Sequence, residues 1–195
     1  MVLIIGISGA TGALYGIRLL QALSEIKGIE THLVISEAGE LIIRHETKRD
    51  LAEVKKLATF TYDIHDIAAP IASGSFKRDG MIVAPCTVKT MSALANSYAD
   101  NLLARAGDVT LKERKKLVLL VRETPLHLSH LRNMERLTEM GAIIFPPVPA
   151  FYHSPYTIED IIDQTIGKVL DLFDIKHDLY KRWAGFETES NVLNE

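Results

Sequence analysis

The chain of 195 residues carries a net charge of −3, from 22 basic and 25 acidic residues, and this balance excludes a general nucleic-acid or membrane-surface binder. The single cysteine, Cys86, excludes an internal disulfide framework, and no apolar run approaches the roughly 20 residues that span a bilayer. The length fits one domain over residues 1–184 before a polar tail over residues 185–195, and the lack of a basic leader before Val2 favours the cytoplasm.

Strand-like apolar runs alternate with helix-compatible stretches along most of the chain. Strands are predicted at residues 2–7, 31–36, 81–84, 117–121 and 142–145. Helices are predicted at residues 13–25, 50–58, 127–140 and 157–173. The alternation predicts a Rossmann-like α/β fold, with a parallel sheet between two layers of helices.

Apolar stripes mark the face that each predicted helix buries. The helices at 13–25 and 127–140 are expected to pack on the sheet through two sets of residues. These sets are Leu14, Ile17 and Leu20, and Leu128, Leu131, Met134 and Leu137. The last helix opens with Thr157 and Asp160 in a capping-box arrangement and carries a stripe that begins at Ile158.

The first predicted strand ends in a turn with glycines at positions 6, 9 and 12. We expect Gly9 and Gly12 to take left-handed backbone angles, and the free N–H groups of the following helical turn to favour a nucleotide or flavin phosphate. The spacing differs from the dinucleotide fingerprint, and the second strand ends at the neutral Ser36, which disfavours NAD. A turn needed only for packing is the alternative at this point.

Polar residues follow each predicted strand, where parallel sheets bind their ligands. Together these loops are expected to line one crevice. They comprise Ser8 to Thr11, Ser36, Pro85 to Thr90, Arg122 to Pro125 and Pro146 to His153.

Two charged residues, Arg122 and Glu123, end an almost wholly apolar strand. They form either a structural ion pair or a functional pair in which Arg122 holds phosphate and Glu123 moves a proton.

Two other features of the chain also have both a structural and a functional interpretation. The basic stretch from Arg105 to Lys116 is a solvated helix face or an anion site, and Tyr152 is an aromatic plug or an anion donor.

Cys86 lacks a neighbouring histidine in the sequence. We therefore expect a small buried residue at a strand end rather than a nucleophile. His127 and His130 share a helix face but lack a third ligand, so no metal site is expected.

Taken together, six blocks of sequence resemble the UbiX-type flavin prenyltransferases over residues 2–175. The blocks are Ser8 to Gly12, Ser73 to Ser75, Pro85 to Thr90, Leu103 to Arg114, Arg122 to Pro125 and Pro149 to His153. The resemblance implies a flavin-binding homo-oligomer, often a dodecamer, with FMN between subunits. It also implies a metal-independent transfer of the dimethylallyl group of dimethylallyl phosphate to N5 and C6 of reduced FMN. The product would serve a UbiD-type decarboxylase.

The same resemblance implies roles for individual residues. FMN would be bound by Gly9, Ala10, Thr11, Ser36, Thr87, Val88, Lys89, Thr90, Arg105 and Arg122. The allylic phosphate would be held by Lys112, Arg122, Tyr152 and Lys168. Glu123 would also contact the substrate, as the acid/base residue assisted by Lys112.

Three positions bear on the details of this resemblance. Thr11 stands where many members have serine, and Ile67 lies near a position where some members place an aromatic residue. Lys89 resembles the subgroup associated with phenolic-acid decarboxylation, whereas cysteine decarboxylases of the same superfamily typically carry asparagine there. The alternatives are therefore a flavin-dependent decarboxylase of cysteine-type or phenolic-acid substrates, and a non-catalytic flavin carrier.

Overall fold

The structure, a computed structural model, describes residues 1–185. Its contacts divide the chain into two compact units, one at Met1–Pro147 and one from Val148 onward. The predicted polar tail lies outside the described residues apart from Gly185. The expectation of a single domain over residues 1–184 stays a prediction.

Six parallel strands form one sheet in the first unit, in the order β3-β2-β1-β4-β5-β6. The strand order reverses between β1 and β4, which creates a crevice at their carboxyl ends. The strands are β1 (Val2–Ile7), β2 (Glu30–Ile35), β3 (Phe60–Tyr62), β4 (Gly80–Cys86), β5 (Lys116–Val121) and β6 (Ile143–Ile144).

Helices cover both faces of this sheet, which confirms the predicted three-layer α/β fold. Ile7 projects towards α1, whereas its neighbour Gly6 contacts Leu103 of α5 on the opposite face. The helices of the first unit are α1 (Ala13–Ser24), α2 (Glu37–Thr47), α3 (Leu51–Lys55), α4 (Val88–Ala95), α5 (Leu102–Lys112) and α6 (Leu128–Glu139). A short 3-10 helix covers Pro70–Ala72.

All five predicted strands are present, with small shifts at their ends. Ser36 is not part of β2, because its hydroxyl accepts the N–H of Gly39 and caps α2. The sequence prediction did not delimit α2, α4 or α5, and it missed β3, an edge strand whose Phe60 and Thr61 are exposed.

The predicted apolar stripe of α6 is only half correct. Leu137 is fully buried in the core, but Leu128 is 60% exposed and Leu131 is 49% exposed. Both exposed leucines lie at the beginning of α6, whereas Leu137 lies in its last turn. Leu14 at the start of α1 is likewise exposed.

The second unit contains one long helix, α7 (Ile158–Asp171), where the sequence predicted it. Thr157 and Asp160 form the predicted capping box, with the Thr157 hydroxyl accepting the Asp160 N–H at 3.1 Å. Ile158 is exposed, in contrast to the expected stripe, whereas Ile162, Ile166 and Leu170 are buried. Within residues 1–185, no helix is long and apolar enough to cross a membrane.

Candidate active site

The loops after β1 and β4 are joined where the strand order reverses. The Ser8 hydroxyl donates to the Pro85 carbonyl at 2.9 Å and accepts the Thr87 N–H at 2.8 Å. The Ser8 N–H donates to the same carbonyl at 3.2 Å. One buried serine therefore fixes the separation of the two loops that the sequence placed in a common crevice.

Glycine is required at two positions of the first loop for different reasons. Gly12 has a φ of 97°, the left-handed conformation that the sequence predicted, and it caps α1. Gly9 is not left-handed, so that part of the prediction is wrong. A Cβ on Gly9 would lie 2.3 Å from the Cβ of Ala38, so this glycine lets α2 approach the loop closely.

The amino end of α1 already holds a carboxylate of the protein. The N–H groups of Gly12 and Ala13 both donate to Oε2 of Glu46, at 2.9 Å and 3.0 Å. The sequence prediction of free N–H groups awaiting a phosphate is therefore wrong here, because Glu46 supplies the anion that the helix dipole favours. No motif predicted this contact, since it depends on how α2 packs beside α1.

A cavity of about 400 Å³ opens at the carboxyl ends of β1, β2 and β4. Its lining includes five of the ten predicted FMN positions, namely Gly9, Ser36, Thr87, Lys89 and Thr90. Ala10 and Val88 lie half-buried next to these residues in sequence, and Thr11 is exposed. The cavity combines backbone, hydroxyl and ammonium groups, which suit a phosphorylated ligand, with the carboxylates of Glu37 and Asp100 and the His65 imidazole.

The amino end of α4 adds a positive potential to this cavity. The Thr87 hydroxyl accepts the Thr90 N–H at 3.1 Å and donates to the Thr90 hydroxyl at 3.0 Å, which starts the helix. Lys89 stands in the first turn, with its ammonium 3.7 Å from Asp100. A helix amino end with a nearby lysine favours an anionic group.

Arg122 and Glu123 also lie at the carboxyl edge of the sheet. The Arg122 N–H donates to the Cys86 carbonyl at 3.1 Å, so the ends of β4 and β5 are tied together. The Glu123 carboxylate accepts the Thr124 N–H at 3.0 Å. Burial raises the pKa of Tyr15, against the opposing effect of the nearby Arg122 charge, and the sequence prediction did not include this tyrosine.

Arg105 and Lys112 lie on one face of α5 and flank the loop Ser73 to Ser75. The Arg105 Nε–H donates to the Ala72 carbonyl at 3.2 Å, and its guanidinium contacts Asp108. The Lys112 ammonium pairs with Glu113 beside Gly74. The buried Arg78 supports the loop by donating to the carbonyls of Ile71 and Ser73.

One chain does not bring Lys112 and Arg122 together. Lys112 ends α5 before the amino end of β5, whereas Arg122 follows the carboxyl end of β5. The six residues of β5 span about 17 Å between their terminal Cα atoms. Two groups of candidate residues therefore lie at opposite edges of the sheet.

Tyr152 and Lys168 belong to the second unit. The Tyr152 hydroxyl accepts a hydrogen bond from the Gln164 amide at 3.3 Å, and its ring lies edge-on to Trp183 at a centroid distance of 6.1 Å. Lys168 is exposed on α7, one turn after Gln164. Two of the four predicted phosphate-binding residues are therefore associated with α7, Lys168 as part of the helix and Tyr152 through its hydrogen bond with Gln164.

Cys86 is fully buried at the end of β4, as the sequence predicted. Burial raises the pKa of its thiol to about 12, so the group is neutral and unreactive at physiological pH.

The Flavoprotein family model matches residues 1–183. The flavin prenyltransferase UbiX of Thauera aromatica is 57% identical over 187 residues, which cover 96% of each chain. The chain belongs to the UbiX flavin prenyltransferase family.

Two crystal structures of UbiX-like proteins share this fold over nearly the whole chain. AnUbiX in complex with FMN and dimethylallyl pyrophosphate is 49% identical, with a TM-score of 0.93 over 95% of this chain and 98% of that one. A dodecameric FMN-dependent UbiX-like decarboxylase from Escherichia coli O157:H7 is also 49% identical, with a TM-score of 0.93 over 95% of this chain and all of that one. The family and the fold implied by the resemblance are thereby confirmed.

Proposed function

We propose that this protein joins the dimethylallyl group of dimethylallyl phosphate to N5 and C6 of reduced FMN and releases phosphate. The observation that carries this proposal is the cavity at the carboxyl edge of the sheet, which five of the ten proposed flavin-binding residues line. The relative AnUbiX binds FMN and dimethylallyl pyrophosphate, which are a flavin and an allylic donor of the same chemical class.

All ten residues that we propose to bind the flavin belong to the first unit. Gly9, Ala10 and Thr11 would offer backbone groups close to the ligand, while Ser36 and the loop Thr87 to Thr90 would offer hydroxyl and N–H donors. Arg105 and Arg122 would add positive charge. Reduced FMN supplies the electron-rich atoms that form the new carbon bonds.

The remaining charged residues would assist the departure of phosphate. Breaking the allylic C–O bond leaves the electron pair on phosphate and positive charge on the five-carbon fragment. Lys112, Arg122, Lys168 and the Tyr152 phenol would stabilise the phosphate, since fixed donors bind developing charge without reorganisation. Bond formation at N5 and at C6 would release one proton from each atom. Glu123 would pass one proton to the departing phosphate, and the other would be added to the former alkene carbon of the five-carbon unit, so that the flavin gains C5H8 in total.

We infer that this site is assembled from more than one subunit. Within one chain, Lys112 and Arg122 lie at opposite edges of the sheet, so a single phosphate needs Lys112 from a neighbouring copy. The dodecameric relative from E. coli O157:H7 has the kind of assembly that permits this arrangement. A homododecamer is therefore the proposed state of this chain, in the cytoplasm, with a UbiD-type decarboxylase as the recipient of its product.

Mixing two inactive variants tests the shared site. Lys112→Ala and Glu123→Gln should each bind FMN but lose turnover, which also argues against a pure flavin carrier. When the two variants are co-assembled at equal amounts, about a quarter of the sites regain both wild-type residues if random mixing of a symmetric oligomer applies. Assemblies without any recovered activity would show that both residues act within one chain.

A further inference from the structure

Asp171, the last residue of α7, binds three side chains of the segment that follows the helix. Its carboxylate accepts hydrogen bonds from the Arg182 guanidinium at 3.0 Å, from the Tyr180 hydroxyl at 2.7 Å and from His177 Nε2 at 3.1 Å. The Arg182 hydrogen bonds are the main reason that the pKa of Asp171 lies well below its usual range. We call Asp171, His177, Tyr180 and Arg182 the Asp171 clamp.

The segment and α7 are in close contact at this clamp. A Cβ on Gly167 would lie 2.5 Å from Cδ1 of Tyr180 and 2.7 Å from Cε1 of His177. The His177 side chain is only 4% exposed, and its Nδ1 accepts the Leu179 N–H at 3.2 Å. That contact leaves the proton of a neutral His177 on Nε2, where it is donated to Asp171.

The residue that follows the clamp in the chain contacts Tyr152. Trp183 follows Arg182 in the chain, and its ring lies edge-on to Tyr152, with an interplanar angle of 80°. Gln164 of α7 donates to the hydroxyl of the same tyrosine. Tyr152 is thus held by α7 through Gln164 and by the clamped segment through Trp183.

We propose that the Asp171 clamp is a positioning device for the phosphate-binding side chains Tyr152 and Lys168, and this role rests on the proposed function. Lys168 lies one turn before Asp171 and one turn after Gln164, so these three residues stand on adjacent turns of α7. The clamp fixes the Tyr152 ring against this helix before substrate binds. Preorganised donors bind phosphate with a smaller entropic cost than mobile ones.

Asp171→Asn tests the clamp, because asparagine keeps the size of the side chain and loses its charge. The matched control is Asp174→Asn, which makes the same charge change three residues later on an exposed side chain. Asparagine also tolerates the positive φ of 56° at that position.

Trp183 is the only tryptophan of the chain, so acrylamide quenching of its fluorescence reports the clamped segment without any assay of turnover.

We expect Asp171→Asn to raise the acrylamide quenching constant of Trp183 about twofold. The KM for dimethylallyl phosphate should rise about tenfold, because residues of one hydrogen-bond network are energetically coupled. FMN affinity and kcat should stay within about twofold of wild type, and Asp174→Asn should change neither quenching nor KM. Increased quenching with an unchanged KM would overturn the positioning role. A parallel fall of FMN affinity and kcat would overturn it too, because it would indicate a general structural defect. Failure of wild type to prenylate FMN would instead refute the proposed function, while the quenching result still tests the clamp.

Discussion

The contact between Gly9 and Ala38 is predicted to control both stability and flavin binding. In Gly9→Ala, the new Cβ would lie 2.3 Å from the Cβ of Ala38, whereas carbon atoms prefer a separation of about 3.5–4.0 Å. The amino end of α2 must therefore move by more than 1 Å, and overpacking of this kind costs roughly 1–3 kcal/mol. Since both residues line the cavity, we expect the affinity for FMN to fall at least about tenfold, which corresponds to about 1.4 kcal/mol.

The double variant Gly9→Ala/Ala38→Gly is the decisive control. It removes the clashing methyl group, although backbone atoms of Ala38 remain at 3.1 Å and 3.2 Å from the new Cβ. Ala38→Gly alone should cost at most about 1 kcal/mol through helix propensity. The double variant should recover more than half of the stability and FMN affinity that Gly9→Ala loses.

Thermal unfolding and flavin fluorescence titration measure these two quantities. All variants need the same protomer concentration, because the stability of an oligomer depends on it. A Gly9→Ala variant that unfolds and binds FMN like wild type would refute the predicted steric clash. A double variant with the same unfolding temperature and FMN affinity as Gly9→Ala would refute it equally.

Cys86 should resist iodoacetamide in the folded protein at pH 8 and react after unfolding, because burial raises its pKa; rapid labelling of folded protein would contradict this. Asp171 has a lowered pKa in the folded state, so its stabilising contribution is present above the unfolded pKa near 4 and is lost as the pH falls further. The thermal unfolding midpoint should therefore fall less steeply between pH 6 and pH 2 in Asp171→Asn than in wild type. An equal dependence on pH in the two proteins would exclude a stabilising ion pair between Asp171 and Arg182. Glu123→Gln should bind FMN within about twofold of wild type and lose at least about 100-fold in kcat, and unchanged product formation would remove its acid/base role.

The sheet was predictable because its strands are short apolar runs with polar ends. β1 and β5 are buried almost throughout, and burial on both faces leaves a continuous hydrophobic signal. The sequence prediction did not delimit α2, because only Gly39 and Ile43 of its eleven residues are buried and its apolar stripe is weak. β3 was missed because its three residues lie at a sheet edge, two of them exposed and one half-buried, and carry no periodic apolar pattern.

Site residues were predictable where they follow a strand directly. Ser36 and Thr87 meet at one cavity because parallel strands end at the same edge of the sheet. The contact of Glu46 with the amino end of α1 was not predictable, because it joins residues that are more than 30 positions apart. The separation of Lys112 from Arg122 likewise follows from the direction of α5 and β5, which the motif order alone does not reveal.

The central claim is tested most directly by the mass of the flavin product. The purified protein would be incubated without oxygen with reduced FMN and dimethylallyl phosphate, and the released flavin would be analysed by mass spectrometry. We predict a gain of one C5H8 unit together with stoichiometric phosphate. Unmodified FMN, alongside carbon dioxide released from a phenolic acid or a cysteine-terminal peptide, would contradict prenyl transfer and establish a decarboxylase.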